Sequence, residues 1–262
     1  MYKLISSDFD GTLVDKEESI PLSTVLAIDN VRRQGVKFII STGRVRSSVM
    51  EYNKDFHFID YVISCNGANV YDVKNGKDLF VKKLAKNILK EIEKNFGAND
   101  IYFCKDEDWF FYENKMIAGV PFSDWIKNSE DIRKIEINFK NKKEAVLGIE
   151  KLNGLNIDAK FNIAHYGKQY LIEVTSSDVN KYIGLTKLLK HLKIKENEVL
   201  AIGDSYNDLE ILENIENSVA VKNAVSEVKK VAKYKTESNN HKGVEKIIKK
   251  LILTDREEEY EI

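Results

Sequence analysis

Short, mostly apolar runs, each leading into a helix-periodic segment, recur at both ends of this chain and give way in the middle to a stretch of different character. At the start, Lys3–Ser7 reads as a strand. Leu22, Val25, Leu26, Ile28 and Val31 then repeat at helical spacing up to the stop signal Gly35, and Val36–Ile40 reads as a second strand. A short helix follows Thr42-Gly43, and Tyr61–Ser64 is the next strand. Asn66-Gly67 and Asn75-Gly76 are turn dipeptides with short strands around them. At the far end, a helix over Val179–Leu192, a strand at Val199–Ile202, a helix from Leu209, a strand at Val219–Val221 and a final helix over Val244–Leu251 restore the alternation. Strands that alternate with helices build a parallel sheet whose strands are buried on both faces. The middle instead reads as helix Lys86–Asn95, strands at Ile101–Cys104, Trp109–Tyr112 and Ile132–Phe139, helix Ala145–Leu152, and strands at Ile157–Ala164 and Tyr170–Val174. The expected fold is therefore α/β: a Rossmann-like parallel sheet with helices on both faces, built from 1–84 and 177–262, into which an α+β domain, 85–176, is inserted.

Composition narrows the partners. Of the 262 residues 32% are charged, yet the formal net charge is only −1, so no overall field favours nucleic acid or an anionic membrane. The densest basic stretch, Lys229-Lys230 to Lys235 with Tyr234, reads as a solvated helix face. No apolar run approaches the ~20 residues of a membrane helix, and the first residues reach acidic Asp8 and Asp10 too soon for a signal peptide. A cytoplasmic protein is expected, with Cys65 and Cys104 as buried free thiols. His57, His165, His191 and His241 are scattered and carry no pattern, and the acidic end from Glu257 to Glu261 is expected to fray. Oligomeric state is left open.

The chemistry-bearing residues stand at strand ends. The first strand runs into Ser7-Asp8-Phe9-Asp10-Gly11-Thr12, and alternation along an extended chain projects Asp8 and Asp10 the same way. Two carboxylates there can hold a hard cation, or one can attack while the other moves protons. The strand Val199–Ile202 runs into Gly203-Asp204-Ser205-Tyr206-Asn207-Asp208, adding Asp204 and, one helical turn on, Asp208. Four clustered carboxylates repel and resist ionisation, which Mg2+ with its preference for oxygen ligands resolves. Ser41-Thr42-Gly43-Arg44 follows a buried strand and enters a helix, a place where a hydroxyl and free backbone N–H groups suit an anion. Lys181, near the start of a helix, is placed to offset phosphate charge.

Taken in order, D-F-D-G-T, S-T-G-R, Lys181 and G-D-S-Y-N-D resemble the motif set of the haloacid dehalogenase superfamily, and within it the Cof-like phosphatases. Ser64–Ala68, Asn223-Ala224 and His241–Val244 extend the resemblance over nearly the whole chain. It implies Asp8 as nucleophile and metal ligand, and Asp10 as general acid and base with its backbone carbonyl on the metal. It implies Thr42, with Ser41 as second choice, as a phosphoryl-binding hydroxyl beside Gly43, and Lys181 as the neutralising cation. Asp204 would complete the Mg2+ site with Asp208 in support, Asn207 would stand near the phosphate, and the insert would serve as a cap. The implied activity is hydrolysis of a small phosphorylated metabolite, such as a sugar phosphate, through a phosphoaspartate. A phosphomutase on the same scaffold and a non-catalytic phosphate sensor are the alternatives. Two departures from the family pattern stand out: Tyr182-Ile183 follows Lys181 where a glycine is usual, and Lys222 precedes Asn223 where another is common.

Overall fold

The computed structural model describes residues 1–106, 108–166 and 169–253. The acidic end, Glu257 to Glu261, lies outside them. The chain opens with β1 (Leu4–Ser7), α1 (Leu22–Arg33), β2 (Lys37–Ser41), α2 (Arg46–Met50), β3 (Tyr61–Ser64), β4 (Asn69–Asp72) and β5 (Lys77–Val81). Next come α3 (Lys86–Phe96), β6 (Ile101–Lys105), β7 (Asp108–Glu113), β8 (Met116–Ile117), β9 (Val120–Pro121), α4 (Phe122–Trp125), β10 (Ile132–Phe139), α5 (Lys142–Asn153), β11 (Ala159–Tyr166) and β12 (Gln169–Ser176). The last run is α6 (Lys181–Leu192), β13 (Val199–Gly203), α7 (Leu209–Asn214), β14 (Ser218–Ala220), α8 (Ser226–Val231), β15 (Tyr234–Lys235) and α9 (Gly243–Ile248). The chain divides into two compact units, Met1–Phe80 with the segment from Asn180 onward, and Val81–Val179.

The first unit is built on a sheet of order β15-β14-β13-β1-β2-β3-β4-β5, parallel from β15 to β3, with β4 antiparallel to β3. Its central strands are buried on both faces: every residue of β1 and β13 is buried, and all of β2 except Lys37. Alternating polar positions would have exposed charge to one of two helical layers, and these sequences have none. Helix α1 packs with α9, while α6 packs with α7 and α7 with α8. The stretch read as a helix face at Lys229–Lys235 is split. Lys229 and Lys230 lie on α8, but Tyr234-Lys235 forms the edge strand β15, because it pairs with β14 in a way the local sequence does not announce.

The second unit is an antiparallel sheet of order β11-β12-β10-β6-β7-β8-β9. One face carries Ile101, Phe103, Tyr112, Ile135, Ile137, Ile172 and Val174, in a core with Ile88, Leu89, Ile92 and Phe96 of α3 and Phe122 and Trp125 of α4. Sequence reading found its longer elements and missed β8, β9 and α4, which are too short to show a period. Among the described residues, no helix is long and apolar enough to cross a membrane.

Candidate active site

Strand order puts the ends of β1, β2 and β13 side by side, and so gathers segments from distant parts of the chain. Asp8 follows β1, and its N–H donates to the Ile202 carbonyl at 2.8 Å, which extends the ladder one residue past the strand. It is buried, 6% exposed. Lys181 is buried on the first turn of α6, whose N-cap Asn180 accepts the Ile183 N–H. Its ammonium donates to Asp8 Oδ1 at 2.6 Å and to Asp208 Oδ1 at 2.7 Å. Asp208 Oδ2 accepts the N–H groups of Asp204 and Ser205, each at 3.0 Å, and so shapes the turn that presents Asp204. Asp204 Oδ1 accepts the Thr12 hydroxyl at 3.0 Å. Gly11, at φ +76°, lies against Asp204: a Cβ there would stand 2.6 Å from its Oδ2. A side chain would both strain the backbone and push the carboxylate away.

One carboxylate oxygen each from Asp8, Asp204 and Asp208 lie within 4.8 Å of one another. The electrostatics show the strain. Burial, then the Asp208 charge, raises the Asp8 carboxyl well above its ordinary value against the pull of Lys181. Burial and Asp208 likewise push Asp204 up to about 6, opposed by hydrogen bonding to Asp8 and Thr12. Burial alone would lower the Lys181 ammonium, but the charges of Asp208 and Asp8 outweigh it and its pKa rises. Three carboxylates around one lysine hold an excess of negative charge in a desolvated place, and hard oxygen donors are the set a small divalent cation prefers. The residues fit such an ion.

Asp10 stands apart from this cluster. Its carboxylate is 42% exposed and is held in a fork by Arg44, Nε to Oδ2 at 2.8 Å and Nη2 to Oδ1 at 2.6 Å. β1 ends at Ser7, and Gly11, at φ +76°, turns the backbone just after Asp10. The Arg44 guanidinium also lies 5.3 Å from the Phe9 ring centroid. Thr42 is buried, and its Oγ1 accepts the Arg44 N–H at 3.1 Å, closing the turn that runs through Gly43. The Ser41 hydroxyl is buried and, among the described residues, has no hydrogen-bond partner. Asn207 Nδ2 donates to Asn66 Oδ1 at 3.1 Å, and the Asn66 N–H donates to the Thr42 carbonyl at 3.0 Å, so the loops after β2, β3 and β13 are tied together. Asn66 takes a left-handed conformation, φ 53°.

The family profile described as haloacid dehalogenase-like hydrolase matches residues 5–248. The chain belongs to the haloacid dehalogenase-like hydrolases. Among its relatives, phosphatase YwpJ of Bacillus subtilis is 27% identical over 95% of this chain and 100% of its own. The 5-amino-6-(5-phospho-D-ribitylamino)uracil phosphatase YitU of the same organism is 27% identical, covering 94% of this chain and 96% of its own. A solved haloacid dehalogenase-like hydrolase from B. subtilis shares the fold, with a TM-score of 0.81 at 23% identity, 95% of this chain and 100% of that one being covered. This haloacid dehalogenase-like hydrolase is an enzyme, a phosphatase.

The Tyr182 hydroxyl donates to Glu196 at 2.7 Å, and two residues on, Gly184 lies close against the loop after β3: a Cβ there would come within 2.6 Å of Ile63 and 3.1 Å of the Gly67 Cα. Lys222 is a surface residue 3.7 Å from Glu237. Sequence reasoning assigned no role to Arg44, Thr12 or Asn66. Each stood inside a quoted motif, but their partners lie on other strand ends.

Proposed function

We propose that this enzyme hydrolyses small phosphomonoesters with Mg2+ bound by Asp8, Asp204 and Asp208, through a phosphoaspartate on Asp8. The observation that carries the reading is the buried Asp8 carboxylate at the end of β1, bonded to Lys181 and sharing its surroundings with two further carboxylates. When bound, Mg2+ supplies positive charge that keeps these carboxylates ionised and offsets the charge of a phosphate. Asp8 Oδ attacks phosphorus in line with the leaving alcohol, and the acyl phosphate so formed is then cleaved by water. Lys181 offsets charge on the nucleophile and the equatorial oxygens. Asp10 protonates the leaving oxygen and then takes a proton from water, with Arg44 setting the direction of its carboxylate. Thr42, Gly43 and Asn207 bind phosphoryl oxygens in this scheme, with the backbone carbonyl of Asp10 as a further Mg2+ ligand.

These groups handle what every phosphomonoester shares, and all lie outside the insert. The Val81–Val179 unit is accordingly the part that selects the alcohol, as a cap. YitU is named for a small phosphorylated metabolite, and the same broad class, which includes sugar phosphates, is proposed here. The test is phosphate release from a panel of metabolite esters by chelated and Mg2+-restored protein. Release that depends on Mg2+ is expected. Full activity after exhaustive chelation would overturn the reading, and transfer to a second hydroxyl without free phosphate would make the enzyme a mutase.

A further inference from the structure

Two stretches singled out in the sequence, Asn223-Ala224 and His241–Val244, take no part in the chemistry proposed for the site. They follow β14 and β15. Parallel strands end on one edge of a sheet, and the order β15-β14-β13-β1 sets the loops after β14 and β15 on the same edge as the loop after β1.

The segment after β1 is a tight turn. The N–H groups of Leu13 and Val14 both donate to the Phe9 carbonyl at 3.0 Å, and Asp10 is bridged to Val14 with Gly11 in the left-handed region between them. Other main-chain groups of this segment are met by asparagines from the two distant loops. Asn223 Nδ2 donates to the Gly11 carbonyl at 2.7 Å, and Asn239 Nδ2 donates to the Val14 carbonyl at 2.9 Å. Asn240 Oδ1 accepts the Lys16 N–H at 2.9 Å. The two loops also hold each other, since the Asn239 N–H donates to Asn223 Oδ1 at 3.1 Å. Asn239 is itself fixed by a closed turn. The Gly243 N–H donates to the Ser238 carbonyl at 3.0 Å, Lys242 is left-handed at φ 59°, and a Cβ on Gly243 would collide with the Glu237 carbonyl.

Asn223 is exposed, yet both ends of its amide are engaged, one donating to Gly11 and the other accepting from Asn239. A side-chain amide does both at once, whereas a carboxylate only accepts. The residue held on either side of these contacts is Asp10, whose carboxylate Arg44 grips. A proton donor has to stand within hydrogen-bond reach of the atom it protonates, and a displacement of about 1 Å is costly. We propose that Asn223, braced by Asn239, is a positioning residue for Asp10: it fixes the main chain that carries the acid, while Arg44 aims the carboxylate. The proposal rests on the reading of Asp10 as the acid that protonates the leaving oxygen.

The test uses the full chain with Mg2+ and two esters, the best alkyl phosphate of the metabolite panel and 4-nitrophenyl phosphate, whose leaving group needs little protonation. The ratio of kcat/KM, alkyl over aryl, should fall roughly ten-fold in Asn223→Ala. It should fall as far in Asn223→Asp, which keeps the shape and the bond from Asn239 but has no N–H for Gly11. The charge that this variant adds acts on both esters alike and leaves the ratio untouched. Asn239→Ala should lower the ratio less, since it frees only Val14. A loss of overall stability would slow both esters equally, so a ratio within two-fold of wild type in either Asn223 variant overturns the proposal. If the wild type releases phosphate from neither ester, the phosphatase reading fails instead. Hydrogen exchange at the Leu13 and Val14 amides then decides whether Asn223 holds the segment: faster exchange in Asn223→Ala supports it, and unchanged exchange overturns it.

Discussion

Among the described residues two lysines are fully buried and each is gripped by carboxylates, yet they sit in opposite settings. Lys181 lies among loops and a helix start at the ends of parallel strands, where Asp8, Asp204 and Asp208 converge from both ends of the chain. Lys134 lies on the flat of an antiparallel sheet, between Glu136 on its own strand and Glu173 on the next. Around Lys181 the carboxylates outnumber the cation, and Asp8 and Asp204 are driven towards the protonated form. A place that resists its own ionisation is suited to receive a cation and a phosphate. Around Lys134 the two carboxylates are aligned by strand register, and each is ion-paired with the ammonium.

The sharpest break of this comparison is Asp8→Asn. Phosphate release should fall by on the order of 10⁴-fold or more, as for loss of a covalent nucleophile, while circular dichroism stays like wild type. Turnover above a few per cent would move the nucleophile elsewhere. Next in size, the two lysines should fail in different ways. In saturating Mg2+, Lys181→Met should cost about 10³-fold in kcat with a modest change in melting temperature, because a cation remains to neutralise the carboxylates. Lys134→Met should instead lower stability by about 3–5 kcal/mol, because the buried Glu173 carboxylate loses its ion pair with the ammonium, and Glu173→Met in the same chain should recover much of the loss. Chemical denaturation read beside kinetics checks both, and interchangeable effects would dissolve the contrast.

A smaller effect is expected with pH. Asp204 titrates at about 6 in the folded, metal-free protein against 3.8 as its ordinary value. Between those values the folded state holds a proton that the unfolded chain has released, so stability falls as pH rises through this window. For Asp204 the full difference is at most about 3 kcal/mol. The chelated wild type should therefore lose stability from pH 4 to 6 relative to Asp204→Asn, and Mg2+ should flatten the difference. Equal slopes for the two chelated proteins would contradict it. Smallest of all, Arg44→Ala should lower kcat roughly ten-fold on alkyl phosphates and less on aryl phosphates, whose leaving groups need little protonation. Equal losses on both would show that Arg44 does not act through Asp10.

The sequence by itself determined the alternation of buried strands and helices and the motifs that end β1, β2 and β13. Those signals are local: an apolar run, a period, a glycine after a carboxylate. Tertiary structure decided the rest, because it depends on partners far apart in the chain. Strand order brought Lys181 to Asp8 and Asp208 and gave Arg44 to Asp10, a partner no spacing in the sequence announces. The edge strand at Tyr234-Lys235 needed β14 to exist at all. In the insert, Lys134 and Glu173 looked like two more charges in a chain rich in them. Only the register of β10 with β12 shows that they meet, since pairing between strands is set by hydrogen bonds that no stretch of sequence carries alone.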